Sequence, residues 1–451
     1  MSNIIKVRDD HTPLNFTKST VINNELMFSL ADGQTVNWCA DNTFSITELR
    51  GRIEPWLTSL FQSEHLSLLV GSGLTTAIQF EATGKSGNGM ENPTPRTTYA
   101  KKITTAVNKS VEKNNRGEAN IEDYIRVMND LLRGLEILEK DKEYSKLKKE
   151  LDGILGDFAL NITQIENQIA IAEDKKRTSA FNKLVMFLMS FASRAATRDR
   201  LNIFTTNYDR LIEVGAELAG LHLLDRFVGT LSPIFRSSRL DLDMHYNPPG
   251  IRGEPRYLEG VTRFTKLHGS IDWVDSKGDI RKIGLPFGAI DIKPYLYAPG
   301  LSVDSTNIMI YPNATKDRET AEYPYVELFR DLAAALCRPN STLVTYGYSF
   351  GDEHINRIIR DMLTIPSTHL VVISFDDKTE RIMKNYIEMG RSTQISLLIG
   401  ADVAGINPLT SYFLPKPSID RNTIRMAELL KQRYEQPQKP HKDEDEGGAK
   451  S

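Results

Sequence analysis

The sequence predicts an α/β protein with a doubly wound, mostly parallel sheet. Short, continuous apolar runs at residues 66–70, 201–204, 343–346 and 369–375 are typical of parallel strands that are buried on both faces. Segments with helical periodicity separate these runs. Glycine and small polar residues follow several of the runs directly, which places candidate ligand-binding turns at the ends of the strands.

Composition is that of an ordinary soluble globular protein with two or three domains. The chain has 451 residues, 40% of them hydrophobic and 25% charged, and a formal net charge of -3. This balance gives no electrostatic footprint for direct nucleic-acid binding. The first ten residues contain no apolar secretory core, and no apolar run is long enough to span a bilayer, so we expect no membrane segment.

Cysteine usage argues against a zinc ribbon and against a disulfide framework. Only Cys39 and Cys337 occur, far apart in the sequence. We therefore expect neither a metal site nor disulfide bonds, and we predict a cytoplasmic location.

The N-terminal segment, residues 1–43, is predicted to be a small β appendage. Apolar and polar residues alternate between residues 12 and 38, with turn signals inside, which predicts two or three short strands. They form either an edge hairpin or a docking surface for a partner. A helix over 44–64 then leads into the strand 66–70, and residues 80–95 are interpreted as a mobile loop. That loop contains Gly84-Lys85-Ser86, but a phosphate-binding P-loop also needs a glycine where the chain has Gln79.

A helical insertion is predicted over residues 98–200, between two strands of the sheet. Apolar residues recur there at helical spacing, as in Ile121, Ile125, Met128 and Leu132. The insertion is either purely structural or acts as a lid or an oligomer contact. The main domain is assigned to residues 44–415. Residues 416–451 are predicted to form a C-terminal helix and a disordered, charged tail.

Four segments follow strand-like runs and are predicted to meet at one edge of the sheet. They are Gly71-Ser72-Gly73-Leu74-Thr75, Thr205-Thr206-Asn207-Tyr208-Asp209, His268-Gly269-Ser270, and Gly347-Tyr348-Ser349-Phe350-Gly351-Asp352-Glu353-His354-Ile355-Asn356. None of these segments alone identifies a function.

Together the four segments resemble the sirtuin-like superfamily, in the bacterial branch called SIR2-like domain proteins. The glycine turn is similar to the first nucleotide-binding turn of the family, Thr206 to Asp209 resembles its TxNYD segment, and His268-Gly269 matches its His-Gly. The resemblance covers roughly residues 60–400. It implies a Rossmann-like sheet with an inserted subdomain, and NAD as the cofactor, used here as a substrate.

The departures from the deacylating sirtuins point to hydrolysis. Those enzymes carry a four-cysteine zinc ribbon, which two isolated cysteines cannot supply. The resemblance implies instead an NAD hydrolase that releases nicotinamide and ADP-ribose and acts in bacterial anti-phage defence by NAD depletion. It also implies a HerA-type hexameric ATPase as the partner. We expect a homo-oligomer as well, because the N-terminal strands and the helical insertion add surface beyond a minimal nucleotide-binding core. A non-catalytic module that senses NAD or ADP-ribose and, less favoured, a protein deacylase remain as alternatives.

Candidate site residues follow from the chemistry of breaking the nicotinamide–ribose bond. Asn207, His268 and Asp209 are the predicted catalytic residues, because an amide can hold a water or ribose hydroxyls and a histidine can accept a proton near neutral pH. The predicted cofactor-binding residues are Gly71, Ser72, Gly73, Thr75, Thr206, Gly347, Ser349, Asp352 and Asn356. Considered singly, Asn207 is a candidate helix cap, and His268 and Asp209 are candidate structural residues.

Overall fold

The strands and helices are described from a computed structural model. The described residues are 2–22, 25–39, 42–85, 92–113, 119–194, 198–246, 256–297, 301, 303, 308 and 323–416. Backbone contacts group Met1–Pro415 into one compact unit and Lys416–Ser451 into a second. The predicted C-terminal helix and tail lie outside the described residues, apart from Lys416.

The strands belong to three sheets and are numbered here in chain order. They are β1 Ser2–Lys6, β2 Leu14–Ile22, β3 Glu25–Leu30, β4 Thr43–Ser45, β5 His65–Val70, β6 Asn202–Thr205, β7 His222–Leu224, β8 Phe227–Val228, β9 Ile234–Phe235, β10 His245–Tyr246, β11 Arg256–Tyr257, β12 Val261–Lys266, β13 Trp273–Ser276, β14 Asp279–Lys282, β15 Ser341–Tyr346, β16 His369–Ser374 and β17 Ile395–Ile399.

The helices of the described part of the chain are numbered in the same way. They are α1 Ile46–Phe61, α2 Gly73–Thr83, α3 Ala100–Lys113, α4 Ile121–Ile137, α5 Asp141–Ala170, α6 Asp174–Ala192, α7 Leu211–Leu218, α8 Tyr325–Leu336, α9 Glu353–Leu363, α10 Arg381–Met389, α11 Ala401–Ala404 and α12 Ile406–Pro408.

The central sheet has, within the described residues, 11 strands in the order β4-β3-β2-β1-β17-β16-β15-β5-β6-β12-β7. The seven strands from β17 to β7 are parallel, and the four N-terminal strands continue the sheet in antiparallel fashion. The predicted mostly parallel α/β sheet is therefore confirmed. The residues of β5, β15 and β16 are almost all buried, as their apolar sequences require.

The chain changes direction across the sheet at β5. From β5 it proceeds outward to β6 and β12, and later it returns to β15, on the other side of β5, before continuing to β16 and β17. The crevice between the turns that follow β5 and β15 is therefore the topological switch point, where open α/β sheets bind their ligands.

The predicted helical insertion consists of α3 to α6, and its apolar stripe is buried as expected. Ile125 and Met128 of α4 are fully buried, and the same apolar cluster includes Tyr208 and Ile271 from the turns after β6 and β12. Helix α4 begins with a capping box, in which Asn120 and Asp123 exchange hydrogen bonds between side chain and backbone. The insertion thus packs against the loops at the carboxyl ends of the strands.

Two local predictions were wrong at their boundaries. Residues 80–83 are the last residues of helix α2, so the predicted 80–95 loop does not begin at residue 80; residues 86–91 lie outside the described residues. Strand β4 occupies Phe44 and Ser45, which were assigned to the following helix. The two or three short strands predicted between residues 12 and 38 are β2 and β3, and β1 precedes them. Strand β13, which begins at Trp273, belongs to a separate four-stranded sheet.

Candidate active site

Strand register brings the four predicted segments to one edge of the central sheet. Val70 pairs with both Thr205 and Tyr346, and Thr205 pairs with Lys266. Counting two residues beyond these pairs puts Ser72 of the first turn, Asn207 of the second and His268 of the third at equivalent positions. The ladder continues past the strand ends, since the Leu267 N–H donates to the Thr205 carbonyl at 2.8 Å.

The glycine turn makes a close backbone crossing with the turn after β15. A Cβ on Gly71 would lie 2.4 Å from the Gly347 carbonyl oxygen, and a Cβ on Gly73 would lie 2.6 Å from the Gly347 Cα. Gly347 itself has a φ of +62°, which favours glycine. The N–H groups of Gly71 and Gly73 donate to the carbonyls of Tyr346 and Gly347, at 3.0 and 3.1 Å. The glycines therefore join two loops of the sheet, a role that the sequence analysis did not assign to them.

Asn207 is held in one orientation by its amide nitrogen. The Nδ2 group donates to the Gly71 carbonyl at 3.0 Å and contacts the Thr75 hydroxyl at 3.1 Å. A carbonyl oxygen only accepts hydrogen bonds, so the nitrogen must face Gly71. No donor of the described part of the chain contacts Oδ1 of Asn207. This oxygen therefore keeps its capacity to accept a hydrogen bond.

Asp209 ties the Asn207 turn to the glycine turn. Its Oδ2 accepts from the Thr75 hydroxyl at 2.6 Å, and its Oδ1 accepts from the Leu211 N–H at 3.1 Å, at the start of α7. The first turn of α7 is therefore bonded by the side chain of Asp209 and not by that of Asn207, which was considered as a helix cap. Thr75, predicted to bind a cofactor, lies in this cluster between Asp209 and Asn207.

His268 lies between two carboxylates. Its Nε2 is 2.9 Å from Oδ2 of Asp352, and its Nδ1 is 3.9 Å from Oε1 of Glu122, the second residue of α4. The other oxygen of Asp352 accepts from the N–H groups of His354 and Ile355, so that Asp352 also caps helix α9. The same oxygen of Glu122 accepts from the Tyr208 hydroxyl at 2.8 Å.

Two buried ion pairs support the turn that carries Asn207 and Asp209. Lys266 is 2% exposed, and its ammonium group donates to the Asp209 carbonyl at 2.5 Å and to Glu213 at 2.9 Å. Arg210 pairs with the fully buried Glu166 of α5. Burial raises the pKa values of Glu213 and Glu166 above the usual range, although the neighbouring cations oppose the shift. These two ion pairs hold the backbone of the turn that carries Asn207 and Asp209.

A cavity of about 500 Å³ opens at the carboxyl ends of β5, β15, β16 and β17. This volume is in the range of small-molecule pockets. Glycines 73 and 347 form part of its wall, and its polar and charged lining residues include Ser72, Thr76, Glu81, Ser349, Ser374, Asp376, Asp377, Lys378, Thr379, Arg381 and Asn407. The Asn207 cluster adjoins the cavity through helix α2, in which Thr75 contacts Asp209 and the next residue, Thr76, lines the cavity.

The remaining predicted residues hold the loops themselves. Asn356 is 3% exposed, and its amide donates to the Phe350 carbonyl at 2.9 Å and accepts from the Tyr348 hydroxyl at 3.0 Å. The Thr206 N–H donates to the Val70 carbonyl at 3.2 Å. Asp352 contacts His268 and is not among the residues that line the cavity.

Residues that contact the predicted catalytic set but were not predicted as site residues include Glu122, Tyr208 and Lys266. Tyr208 could have been identified from the sequence, because it lies inside the TxNYD segment. Lys266 could also have been identified, because it is an unusual charge at the end of an otherwise buried strand. Glu122 gives no signal in the sequence, since it is one of many charged residues in the insertion.

Fold and site together define a doubly wound α/β protein whose switch-point crevice is flanked by an asparagine, a histidine and several carboxylates. Residues 201–392 match the family model described as a SIR2-like domain. This range contains Asn207, Asp209, His268, Ser349 and Asp352. The match supports a sirtuin-like family for this chain and indicates an NAD-related enzymatic function. No curated protein matches the sequence.

The described ranges contain no group of three or more His, Cys, Asp or Glu side chains that could hold a metal ion. No helix described here is both long and apolar enough to cross a bilayer.

Proposed function

We propose that this protein is an NAD glycohydrolase that cleaves the nicotinamide–ribose bond to give nicotinamide and ADP-ribose. The observation that carries the proposal is the position of Asn207 and His268, which lie at equivalent points beyond two neighbouring strands, next to the switch-point cavity. The SIR2-like match over both residues supports it.

The proposed reaction needs orientation more than acid catalysis. The bond between C1′ of the ribose and the pyridinium nitrogen breaks, and its electron pair neutralises the departing nicotinamide. A water oxygen forms the new bond to C1′, and one proton is released. The leaving group is already cationic, so the protein must mainly hold the ribose, place the water and accept its proton during an oxocarbenium-like transition state.

Asn207 and His268 supply these functions in the proposal. Oδ1 of Asn207 accepts a hydrogen bond from the attacking water or a ribose hydroxyl, because its Nδ2 is fixed by Gly71. The ionised carboxylate of Asp352 can only accept, so it retains the proton on Nε2 of His268 and leaves Nδ1 as the basic nitrogen. Asp209 positions the Asn207 turn through Thr75.

The ADP half of NAD is assigned to the 500 Å³ cavity. Ser72 at the start of helix α2 is suited to the pyrophosphate, because a helix N-terminus favours an anion. Gly73 and Gly347 present backbone without a side chain, and Ser349 offers a hydroxyl for the adenosine ribose.

The direct test incubates the purified full chain with NAD and measures free nicotinamide and ADP-ribose. We expect Asn207→Ala and His268→Ala each to lower turnover by roughly 10²–10⁴-fold, the usual contribution of a positioned acid–base group. His222→Ala is the matched control, since His222 is exposed on the edge strand β7. Near wild-type turnover in both site variants would show that the site is assigned wrongly.

A module that binds NAD or ADP-ribose without turnover is the second candidate. It is favoured by one observation, namely that Nδ2 of Asn207 and Nε2 of His268 are engaged by protein groups. Calorimetric binding of NAD with no nicotinamide release, with and without a partner, would support this candidate. A protein deacylase remains the least favoured alternative, because the two cysteines cannot form a zinc ribbon.

We further propose a cytoplasmic role in anti-phage defence through NAD depletion, in a homo-oligomer that docks a HerA-type hexameric ATPase through the N-terminal strands. The support for this role is the family resemblance, together with the surface of the helical insertion beyond a minimal nucleotide-binding core. Sedimentation of the purified protein and co-purification with such an ATPase test the two assembly claims. A monomer at micromolar concentration would contradict the first claim.

A further inference from the structure

The helical insertion contributes a carboxylate to the candidate site. Glu122 is the second residue of α4, and the capping box between Asn120 and Asp123 fixes the start of that helix. Asp123 is directed into the insertion, where it pairs with Arg126 at 2.7 Å. The neighbouring Glu122 instead reaches across to the sheet, where it meets Tyr208 and His268.

The side chains around His268 form a continuous chain of polar contacts. It runs from Asp352 at 2.9 Å, through the imidazole, to Glu122 at 3.9 Å from Nδ1, and on to the Tyr208 hydroxyl at 2.8 Å from Glu122. The ionisable side chains that make these contacts are largely buried, with 16–18% exposure for His268, Asp352 and Glu122. Tyr208 is 2% exposed, and its ring packs on Phe158 of the insertion.

We propose that Glu122 is a positioning residue for His268, supplied by the helical insertion. This inference rests on the proposed hydrolysis of NAD. When Nδ1 of His268 takes the proton of the attacking water, the new imidazolium lies between two carboxylates, Asp352 at Nε2 and Glu122 on the Nδ1 side. The negative charge of Glu122 stabilises that imidazolium. It also stabilises the positive charge that develops at C1′ of the ribose.

Two substitutions separate the charge of Glu122 from its hydrogen bond. Glu122→Gln keeps an oxygen that accepts from the Tyr208 hydroxyl but removes the charge, and Tyr208→Phe removes the hydroxyl but keeps the charge. Glu136→Gln, at an exposed position of the same helix, is the matched control for the loss of one negative charge. Thermal unfolding of each variant establishes that the fold is retained.

The first readout is NAD hydrolysis. The interaction energy of two unit charges about 4 Å apart in a partly buried site corresponds to a factor of roughly 10–100 in rate. We therefore expect Glu122→Gln to lower kcat by about 10–100-fold, with KM for NAD within about twofold of wild type. Glu136→Gln should retain kcat within about twofold, and Tyr208→Phe, which keeps the charge of Glu122, should lose less than Glu122→Gln. An unchanged kcat in Glu122→Gln would overturn the inference.

The second readout does not depend on turnover. In the full chain labelled with ¹³C-histidine, the resonance of His268 is assigned by its loss in His268→Gln and is followed against pH. Within the described residues, the charged or titratable groups that face His268 are Glu122, Asp352 and Tyr208. We expect the pH midpoint of His268 to be lower in Glu122→Gln than in wild type, by roughly 1–2 units, and unchanged in Glu136→Gln.

The two readouts separate this inference from the proposed function. A wild-type protein that releases no nicotinamide overturns the proposed function. A His268 midpoint that is the same in wild type and Glu122→Gln overturns the role of Glu122, whatever the result of the turnover assay.

Discussion

Replacing Gly71 by alanine tests why glycines occupy the turn after β5. The new Cβ would lie 2.4 Å from the Gly347 oxygen, 2.8 Å from the Tyr348 Cα and 2.9 Å from the Gly347 carbon, and all three are backbone atoms. They cannot rotate away as a side chain could. Relief requires the turns after β5 and β15 to separate, which strains the hydrogen bonds that the N–H groups of Gly71 and Gly73 donate.

The expected cost follows from these contacts. Overpacking a tight site typically costs about 1–3 kcal/mol, and weakening two backbone hydrogen bonds adds about 1 kcal/mol or more. We therefore expect Gly71→Ala to lower the free energy of unfolding in urea by about 2–4 kcal/mol. Gly51→Ala is the control, because Gly51 lies inside helix α1 and its Cβ would meet nothing within 4 Å. This control should gain about 0.5–1 kcal/mol from helix propensity.

The same variants distinguish the backbone crossing from a pure phosphate-binding role. If the glycine serves only the close approach of a pyrophosphate, Gly71→Ala will lose NAD binding by calorimetry while its unfolding in urea stays as in wild type. That result would refute the argument from backbone contacts. Loss of stability in the absence of any ligand is the outcome that the geometry predicts.

Two further predictions concern buried ionisable groups. Lys266→Met removes the partner of Glu213 and the donor to the Asp209 carbonyl, and should lower the free energy of unfolding by about 3 kcal/mol. Adding Glu213→Gln to this variant should restore part of the loss, and wild-type stability of Lys266→Met alone would contradict the prediction. Burial, with a smaller contribution from Lys6, lowers the pKa of His369 from 6.5 to about 4. The unfolded chain therefore takes up that proton first, so the stability due to neutral His369 is complete above pH 6.5 and is lost as the pH falls toward 4, by about 3 kcal/mol in total. Urea unfolding of His369→Gln should show a shallower loss between pH 6.5 and 4.5 than wild type, and parallel curves would refute the assignment.

The central strands of the sheet could be predicted from the sequence because the pattern that specifies them is local. A strand covered on both faces needs a continuous apolar run, and β5, β15 and β16 have one, so they were predicted within one or two residues. The meeting of four turns at one edge then followed from the rule for parallel strands.

Contacts between distant segments could not be predicted from such patterns. Strand β1 has only five residues, and it is specified by its pairing with β17 at the other end of the unit. Gly71 looked like a phosphate-binding glycine, because the sequence does not reveal that Gly347 lies against it. Glu122 was one acidic residue among many until the packing of α4 put it next to His268.

The pairing of β1 with β17 has a consequence for how the protein folds during synthesis. Ile4 is paired with Ile399, so strand β1 cannot pair with β17 until nearly the whole unit has left the ribosome. At about 5–20 residues per second, this delay is roughly 20–80 seconds. Throughout that time β1 to β4 can pair only with one another, and the edge that β17 later covers stays open to other chains. We expect this interval to be the stage at which the nascent protein depends most on chaperones.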